Sequence, residues 1–597
     1  MLYDASAGVW QSFTRPCEIV ETCRHDAVMN CLRRVERLVE SRGLLAAGFV
    51  SYEAAPAFDR ALSVREAPGF PLLWFGLFPA AETMTSVAAY EHAATRAVAV
   101  GSGLNDWQPS ITAQQYAAVI GRLRDAIAAG ETYQVNYTFR LKQPATSDPW
   151  RRFEDLVAAQ QPPYAAYMET ERYAICSASP ELFFELNGRR IVSRPMKGTI
   201  ARGRWQAEDQ SRAGELAASE KNRAENAMIV DMMRNDLGRI ARVGSVQVSD
   251  LFRVERYPTL WQMTSCVSAE TGAGLAEIFA ALFPCASITG APKASTMRII
   301  ARNESEPRRI YTGSIGQIAP GRRARFNVAI RTVLVDKAHR EAEYGVGGGV
   351  LWDSTPQGEY DECLLKARIL TTRRPEFSLL ETLLWTPGDG YACLGEHLRR
   401  LEESADYFAF PRCDERAASE LAAAAARLPA AAHKIRLLVA RDGKISCQSE
   451  PIRAGEFPDP VRLELAAGPV DAAEVFLYHK TTHREVYAAA QADCREGDDV
   501  LLYNQLGEIT ETALGNLVVR CGNDLWTPPV SCGLLAGTYR ARLLAEGKIR
   551  ERAVPLEMLP ACDELFFINS VRLWRKARLV GPRDARSLAA GLPARVR

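Results

Sequence analysis

The sequence predicts an α+β protein in two separately folding parts, and three observations support this prediction. Apolar residues recur at helical spacing in 112–129, 212–238 and 396–408. Apolar runs typical of strands stand between and after them, among them "RFNVAIRTVLV", "KIRLLVA" and "DVLLYN". A short polar segment with a proline, "TTRRPEF", separates two apolar stretches near 371–376. Strands and helices are therefore interspersed on both sides of one predicted junction.

Length and composition point to a small-molecule enzyme. The chain has 597 residues, too many for one hydrophobic core, and its 73 basic and 72 acidic residues nearly cancel. No overall field therefore favours a nucleic acid or an anionic membrane surface. The 14 cysteines include no C-x-x-C pair and "MLYDASAGVW" has no secretory pattern, which predicts a reduced, cytoplasmic chain. The stretch "GAGLAEIFAALFPCASITGAP" is broken by Pro284, so it predicts a helix and a turn, not a membrane span.

Lys197 in "SRPMKGT" is the first candidate catalytic residue. Most lysines are solvated surface charges, and a lysine becomes a nucleophile only when desolvation or a nearby cation leaves part of it neutral. A segment framed by Pro and Gly could hold it in a closed cleft. Glu181 in "SASPELFF" could then move protons, and Glu225 and Glu362 could hold Mg²⁺ on an anionic substrate. Sequence spacing alone does not bring these residues together.

Eight motifs occur in order between about residues 110 and 370: "SASPELFF", "RPMKGTIARG", "KNRAENAMIVDMMRNDLGRI", "SITGAPK", "YTGSIG", "NVAIRT", "GVGGG" and "EYDECLLKA". Through these motifs, this part of the chain resembles the chorismate-utilising enzymes, which include anthranilate synthase and aminodeoxychorismate synthase. Residues 1–110 match only loosely and correspond to the variable N-terminal part of that family. The resemblance implies a large antiparallel-sheet fold for residues 1–370, with the catalytic core in 110–370.

Within this family, the residue at the position of Lys197 separates two reactions. Anthranilate synthases have a small residue there, commonly alanine, and aminodeoxychorismate synthases have lysine. The resemblance therefore implies that Lys197 attacks the chorismate ring, and that Glu181 helps to expel the 4-hydroxyl group before ammonia displaces the lysine. Gln134 stands where isochorismate and salicylate synthases have a lysine that activates water. A neutral amide cannot act as that base, so those two reactions are not expected.

The resemblance also implies how the substrate is held. Mg²⁺ would bind Glu225, Glu362 and the ring carboxylate. Two positions depart from the family, because Asn222 stands where an acid is usual and Gln262 where many relatives have histidine. Nothing in the chain resembles a glutaminase, so a separate glutaminase subunit is expected to supply the ammonia. The substrate-binding residues implied by motif position are Thr289, Tyr311, Arg331, Gly347, Gly348 and Lys366.

Five motifs occur in order in the second part of the chain: "GEHLRRLEESADYF", "FLYHKTTHREVY", "GEITETALGNLVV", "GLLAGTYR" and "ELFFINSVRLW". Through these motifs, residues from about 376 to 580 resemble the class IV pyridoxal-phosphate enzymes. These include branched-chain and D-amino-acid aminotransferases and aminodeoxychorismate lyase. The resemblance implies a two-lobed α+β fold for 376–597, a pyridoxal 5′-phosphate cofactor and, by analogy, a homodimer formed through this half.

Motif position implies the roles of the cofactor-binding residues. Lys480 would bond to the cofactor, and Glu511 would lie against its pyridine nitrogen and keep the ring an electron sink. Arg400 would bind the phosphate. Tyr539 in "GTYR" stands where several relatives have a phosphate-binding threonine, so Thr538 is expected to take that role. His397 and Asn516 are expected to support the loops.

The joining of the two parts favours a lyase in the second. A lyase would take aminodeoxychorismate, the product of the first part, and release pyruvate to give the p-aminobenzoate used for folate. An aminotransferase would have no evident reason to be attached. The alternatives are an anthranilate synthase-like enzyme joined to an aminotransferase, and a chain in which one half is a non-catalytic scaffold. Lys197 argues against the first alternative, and competent residues in both halves argue against the second.

Overall fold

The structure is a computed structural model that describes residues 1–4, 7–85, 107–145, 147–371, 375–453, 455 and 457–581. The chain divides into two compact units. Unit 1 comprises Met1–Arg202 and Arg212–Arg374, and unit 2 comprises Gly203–Ser211 and Pro375–Arg597. Of the expected junction at 371–376, residues 372–374 lie outside the described ranges. No described helix is long and apolar enough to cross a membrane.

Both units combine helices with sheets, which confirms the predicted α+β class. The strands of unit 1 are β1 (Leu2–Asp4), β2 (Val9–Ser12), β3 (Glu18–Thr22), β4 (Leu45–Val50), β5 (Leu73–Phe78), β6 (Glu82–Thr85), β7 (Gln108–Pro109), β8 (Gln134–Pro144), β9 (Tyr164–Glu169), β10 (Tyr173–Ser179), β11 (Leu182–Asn187), β12 (Arg190–Arg194), β13 (Met196–Ala201), β14 (Gln247–Arg256), β15 (Leu260–Glu270), β16 (Gly290–Ala291), β17 (Ser314–Ala319), β18 (Arg323–Val328), β19 (Thr332–Asp336) and β20 (Glu341–Val350). The helices of the first part of the chain are α1 (His25–Arg42), α2 (Ala55–Phe58), α3 (Ala113–Ala128), α4 (Pro149–Gln160), α5 (Gln206–Ala218), α6 (Glu220–Gly238), α7 (Leu275–Leu282), α8 (Lys293–Asn303) and α9 (Pro356–Ala367).

Within the described residues, unit 1 contains two antiparallel sheets of ten strands each. One has the order β16-β8-β20-β19-β10-β9-β1-β2-β6, with β7 paired to β8. The other has the order β13-β15-β12-β11-β18-β17-β4-β5-β3, with β14 paired to β15. Helix α1 shows why such elements form, since its buried residues Val28, Leu32, Val35 and Val39 recur on one face and join a core with the second sheet. The sheets place β13, β20 and β8 around the first candidate site.

Two of the predicted elements each correspond to two separate elements in the structure. The helical pattern over 212–238 belongs to α5 and α6, because Ser219 has extended backbone and its Oγ accepts a hydrogen bond from Asn222 N at 3.3 Å. The strand-like run "RFNVAIRTVLV" belongs to β18 and β19, which lie in different sheets. Arg331 between them has a φ of 52°, in the left-handed region that ends regular strand geometry. The predictions for 112–129 and for the helix before Pro284 are confirmed by α3 and α7.

Within its described residues, unit 2 contains two sheets with separate cores, as the two-lobed prediction requires. One sheet has the order β22-β21-β23-β24 and the other, a mixed sheet, has the order β27-β26-β25-β32-β31-β28-β29-β30. The strands are β21 (Leu379–Thr386), β22 (Gly390–Tyr391), β23 (His433–Val439), β24 (Ile445–Pro451), β25 (Val461–Leu465), β26 (Asp499–Tyr503), β27 (Ile509–Thr512), β28 (Asn516–Cys521), β29 (Asp524–Thr527), β30 (Arg550–Glu551), β31 (Glu564–Asn569) and β32 (Leu573–Val580). The helices are α10 (Leu394–Phe408), α11 (Asp414–Ala425), α12 (Glu485–Ala492) and α13 (Thr538–Ala545).

Candidate active sites

Lys197 of β13 lies against a glycine of β20. A Cβ placed on Gly349 would be 3.0 Å from Lys197 Nζ and 2.2 Å from Gln134 Nε2. Gly349 therefore leaves the space that both side chains occupy. Sequence analysis named Gly347 and Gly348 from the same "GVGGG" motif and missed Gly349, although the three consecutive glycines were a visible signal.

The structure brings Lys197 together with the other charged residues predicted for this site. Burial lowers the pKa of Lys197, and the positive charge of Lys366 lowers it further. Three carboxylates act in the opposite direction, those of Glu225, Glu181 and Glu362. Lys197 is half-buried, and a lysine whose pKa is lowered has a larger neutral fraction, which is the condition for a nucleophilic amine.

Glu181 lies between β10 and β11 and is only 2% exposed. Ser287 Oγ donates a hydrogen bond to its Oε1 at 2.7 Å. Burial raises the pKa of Glu181 to about 7, against the opposing effects of Ser287 and Lys197. Such a carboxyl group can hold or give up a proton near neutral pH. Thr289, two residues after Ser287, is also buried, and its Oγ1 donates to Cys285 O at 3.1 Å.

Two amides hold the strand that carries Lys197. Asn226 Nδ2 donates to Lys197 O at 3.3 Å, and Ser265 Oγ donates to Asn226 Oδ1 at 2.6 Å. Gln262 Nε2 donates to Gly198 O at 2.8 Å. Gln262, a departure from the family, therefore orients the backbone beside Lys197. Sequence analysis missed Asn226, which lies in the "KNRAENAM" motif.

The two carboxylates proposed for Mg²⁺ interact with each other across α6 and α9. Burial raises the pKa of Glu225, and the charge of Glu362 contributes. The pKa of Glu362 is lowered chiefly by Lys366, whose Nζ lies 2.7 Å from Glu362 Oε1. A Cβ at Gly348 would lie 3.8 Å from that same Nζ.

This donor set fits Mg²⁺, which takes one or two protein carboxylates together with water and substrate oxygens. No group of three or more His, Cys, Asp or Glu side chains in the described ranges is arranged to hold a metal ion. Glu225 and Glu362 would supply the two protein oxygens.

The remaining predicted substrate-binding residues border β20. Lys366 Nζ donates to Gly347 O at 2.9 Å, and Arg331 Nη1 donates to Lys366 O at 3.3 Å. Tyr311 is buried against Gly345, where a Cβ would lie 2.2 Å from Tyr311 Cγ. Burial raises the pKa of Tyr311 to about 12, so its hydroxyl group keeps its proton at neutral pH. These side chains supply hydrogen-bond donors of the kind that carboxylates bind.

In unit 2, Lys480 lies just before α12, and its carbonyl oxygen accepts a hydrogen bond from Leu380 N at 3.0 Å. Burial lowers the pKa of Lys480 to about 8, with further lowering by Arg400 and Arg484. The charges of Glu381 and Glu511 oppose this shift. The structure thus brings together the three residues predicted for the cofactor amine, phosphate and pyridine nitrogen.

Glu511 of β27 is fixed through both carboxylate oxygens. Tyr487 Oη donates to Oε1 at 2.7 Å, and Leu535 N donates to the same atom at 3.1 Å. Asn516 Nδ2 donates to Oε2 at 3.3 Å. Burial raises the pKa of Glu511 to about 7, and the Tyr487 hydroxyl opposes that rise. Tyr487 was not predicted, although it lies in "FLYHKTTHREVY", the motif that contains Lys480.

A buried acid of β21 organises the predicted phosphate end of the site. Arg400 Nε and Nη2 donate to the two oxygens of Glu381 at 2.9 and 2.6 Å. His397 Nδ1 lies 2.6 Å from Glu381 Oε2, and its Nε2 lies 3.1 Å from Thr538 Oγ1. Burial alone would raise the pKa of Glu381, but Arg400 and His397 lower it to about 2. Sequence analysis missed Glu381, although an acid within the apolar run "SLLETLLW" was a signal.

The residues of this second site fit pyridoxal phosphate. The cofactor requires an amine, a partner for its pyridine nitrogen and donors for its phosphate. The half-buried Lys480, the acid Glu511 and the N-terminus of α13 at Thr538 can supply them. Gly537 permits close packing at that N-terminus, because a Cβ there would lie 2.0 Å from Asn516 Oδ1.

Sequence comparisons match each part of the chain to a family. The profile described as "chorismate binding enzyme" matches residues 3–372, and "Amino-transferase class IV" matches residues 378–580. "Aminodeoxychorismate synthase component 1" of Bacillus subtilis (strain 168) is 38% identical over 258 residues, 43% of this chain and 54% of the relative. "Anthranilate synthase component 1 3" of Haloarcula marismortui is 39% identical over 261 residues, 43% of this chain and 51% of the relative. The chain spans about half the length of these relatives.

A solved structure supports the fold of the first part. Anthranilate synthase component I from Streptococcus pneumoniae TIGR4 aligns with a TM-score of 0.52 at 23% identity, covering 62% of this chain and 94% of that one. The two relatives named above are synthases of different products, and they are 38% and 39% identical to this chain. Overall sequence identity therefore does not distinguish between their two reactions.

Proposed function

Because the chain belongs to the chorismate binding enzymes, we propose that it converts chorismate and ammonia into p-aminobenzoate, a precursor of folate. Unit 1 would form 4-amino-4-deoxychorismate, and unit 2 would eliminate pyruvate from it. The observation that supports this proposal most strongly is Lys197, a half-buried residue whose amine has a lowered pKa and lies near the carboxyl group of Glu181.

In the first reaction, neutral Lys197 Nζ forms a bond to the chorismate ring while the bond between the ring and the 4-hydroxyl oxygen breaks. Protonated Glu181 gives its proton to that oxygen, which leaves as water. The resulting carboxylate takes a proton from the substituted lysine nitrogen. Ammonia then forms the new carbon–nitrogen bond, and the lysine leaves with a returned proton. Glu181, whose pKa is about 7, suits both directions of proton movement.

Substrate binding would use the two sets of charged groups near Lys197. Glu225 and Glu362 would hold Mg²⁺, which would neutralise the ring carboxylate. Arg331 and Lys366 would bind the enolpyruvyl carboxylate beside Gly347, since charge-assisted hydrogen bonds are the stronger ones. Tyr311 and Thr289 would line the remainder of the site.

In the second reaction, pyridoxal phosphate, when bound, supplies a ring that accepts electrons. Lys480 would hold the cofactor and, once free, take the proton from the ring carbon that bears the substrate amine. Glu511 would keep the pyridine nitrogen protonated, while Arg400 and Thr538 would hold the phosphate. Pyruvate leaves as its enol and the carbon ring becomes aromatic, which makes the step effectively irreversible.

Ammonia would come from a separate glutaminase subunit. Curated relatives of unit 1 are named "component 1", which supports a second component as partner. The chain alone is therefore expected to use ammonium salts as its nitrogen source and not glutamine.

Product identification tests the proposal. The purified chain, supplied with pyridoxal phosphate, is incubated with chorismate, Mg²⁺ and an ammonium salt, and the aromatic product is identified by chromatography and mass spectrometry. p-Aminobenzoate is expected, and glutamine in place of ammonium should give none. Anthranilate would instead support a synthase of the anthranilate type, and salicylate a water-using one.

A further inference from the structure

Two polar side chains of the segment between α7 and α8 form a hydrogen-bonded chain that ends on Glu181. Cys285 Sγ lies 3.3 Å from Ser287 Oγ, and Ser287 Oγ lies 2.7 Å from Glu181 Oε1. All three residues are buried, with exposed fractions of 3%, 6% and 2%. The reaction proposed above gives Cys285 and Ser287 no task, although they contact its acid.

The chemistry of the three groups fixes the direction of this chain when Glu181 is ionised. A carboxylate only accepts hydrogen bonds, so Ser287 must donate its single hydroxyl hydrogen to Glu181 Oε1. Ser287 Oγ then acts as an acceptor toward Cys285, and the thiol hydrogen is the donor. Burial raises the pKa of Cys285 to about 12, so this hydrogen is present at neutral pH. The chain therefore runs from thiol to hydroxyl to carboxylate.

The chain acts at the moment when Glu181 becomes charged. In the proposed reaction, Glu181 gives its proton to the leaving oxygen and is left as a buried carboxylate. Hydrogen bonds to a charged acceptor are stronger than those to a neutral one, so Ser287 stabilises the ionised form more than the protonated form. Burial raises the pKa of Glu181, and the hydrogen bond from Ser287 opposes that rise. Ser287 therefore makes Glu181 a better proton donor.

Other titratable groups surround Glu181 but differ from Ser287 in their effect. Among the described residues, those that interact with Glu181 are Lys197 of β13, Cys285, and Tyr257 just after β14. Tyr257 Oη donates to Pro180 O at 3.3 Å, and burial raises the pKa of Tyr257, so its hydroxyl group stays neutral. Lys197 is the charged neighbour of this set. The Ser287 hydroxyl can thus be removed without changing any of these charges.

We propose that Ser287 and Cys285 are positioning residues of the first reaction: the Cys285 thiol orients the Ser287 hydroxyl, which holds Glu181 Oε1 and stabilises the carboxylate that forms when Glu181 gives up its proton. The inference rests on the proposed function only for the reaction that uses this proton. The hydrogen-bonded chain itself is present without substrate.

Removal of the Ser287 hydroxyl should raise the pKa of Glu181. A hydrogen bond to a charged group is strong enough to shift a pKa by about 1 to 2 pH units. The pKa is measured in the full chain without chorismate, from the infrared carbonyl absorption of the protonated carboxyl group as pH is varied. Subtracting the spectrum of the matching protein with Glu181→Gln isolates the signal of Glu181. In Ser287→Ala, this group should ionise about 1 pH unit or more above its wild-type value.

Turnover gives a second measurement of the same shift. The pH at which kcat/KM for aminodeoxychorismate formation declines on the alkaline side should rise in Ser287→Ala by the amount seen in the infrared titration. Cys285→Ala removes the thiol donor and should raise the pKa of Glu181 by less than Ser287→Ala does. Cys285→Ser keeps a donor at this position and should stay closer to the wild type than Cys285→Ala.

Ser51→Ala is the matched control. Ser51 is fully buried in unit 1, and its Oγ donates to the uncharged Leu72 O at 3.3 Å, so its removal should leave the ionisation of Glu181 unchanged. Unchanged ionisation of Glu181 in a folded Ser287→Ala protein, or an equal shift in Ser51→Ala, would overturn the proposal. If Ser287→Ala does not fold, identical ionisation of Glu181 in Cys285→Ala and Cys285→Ser would overturn it. An infrared shift in a protein that forms no aminodeoxychorismate would support the hydrogen-bonded chain and contradict the proposed function instead.

Discussion

Gly349→Ala should disable the first reaction while leaving the second intact. The added Cβ would stand 2.2 Å from Gln134 Nε2 and 3.0 Å from Lys197 Nζ. Restoring an ordinary contact of 3.4 Å requires the Gln134 side chain to move by about 1 Å, and Lys197 Nζ must also move by a few tenths of an ångström. A displacement of about 1 Å from the reactive geometry can lower turnover about 100-fold. Aminodeoxychorismate formation should therefore fall by about that factor.

The assay uses the second reaction as an internal control. Formation of aminodeoxychorismate from chorismate and ammonium is measured together with pyruvate release from supplied aminodeoxychorismate, which should be unchanged. Gly121→Ala is the matched control, because a Cβ at Gly121 of α3 meets nothing within 4 Å. Wild-type synthesis by a folded Gly349→Ala protein would refute the placement of Lys197 against β20.

Three further predictions concern charged groups of the two sites. Loss of the Glu181 proton above about pH 7 should lower kcat/KM for aminodeoxychorismate formation by the wild-type protein. Glu181→Gln should be slow at every pH. A wild-type kcat/KM that does not change with pH would contradict this prediction. Glu381→Ala leaves the buried guanidinium of Arg400 without its ion pair, so denaturant unfolding should show a loss of about 3–5 kcal/mol, whereas Glu450→Ala, at an exposed pair, should scarcely change stability. Lys480→Ala should lose the visible absorbance of bound pyridoxal phosphate and should accumulate aminodeoxychorismate. If this variant made p-aminobenzoate at the wild-type rate, unit 2 would have another role.

Much of the fold follows from the sequence, and ordered motifs selected candidate site residues that the structure brings together in each part. The motifs selected Lys197, Glu181, Glu225 and Glu362, which stand far apart in the chain and which the structure places within electrostatic reach of one another. Apolar periodicity predicted elements such as α3. It could not show the break at Ser219, because one polar residue leaves the helical pattern on either side unchanged.

The supporting residues could not be predicted, because their roles depend on pairing between distant elements. In the sequence, Glu381 is an unfavourable acid within an apolar strand. In the structure, Arg400 Nη2 of α10 donates a hydrogen bond to Glu381 Oε2 of β21 at 2.6 Å. Gly349 differs from Gly347 only through the neighbours that it meets across β20. The hydrogen bond from Arg308 N to Glu53 Oε1 joins two segments separated by 255 residues, and such a contact leaves no local sequence pattern.

The most direct test of the account is whether Lys197 forms a bond with chorismate. Incubation with chorismate and Mg²⁺ in the absence of ammonia should give a chain heavier by chorismate less one water, with the added mass on the peptide that contains Lys197. Ammonium should discharge this species as aminodeoxychorismate, and Lys197→Ala should neither form it nor turn over. Near-normal turnover with ammonium by Lys197→Ala would contradict the account.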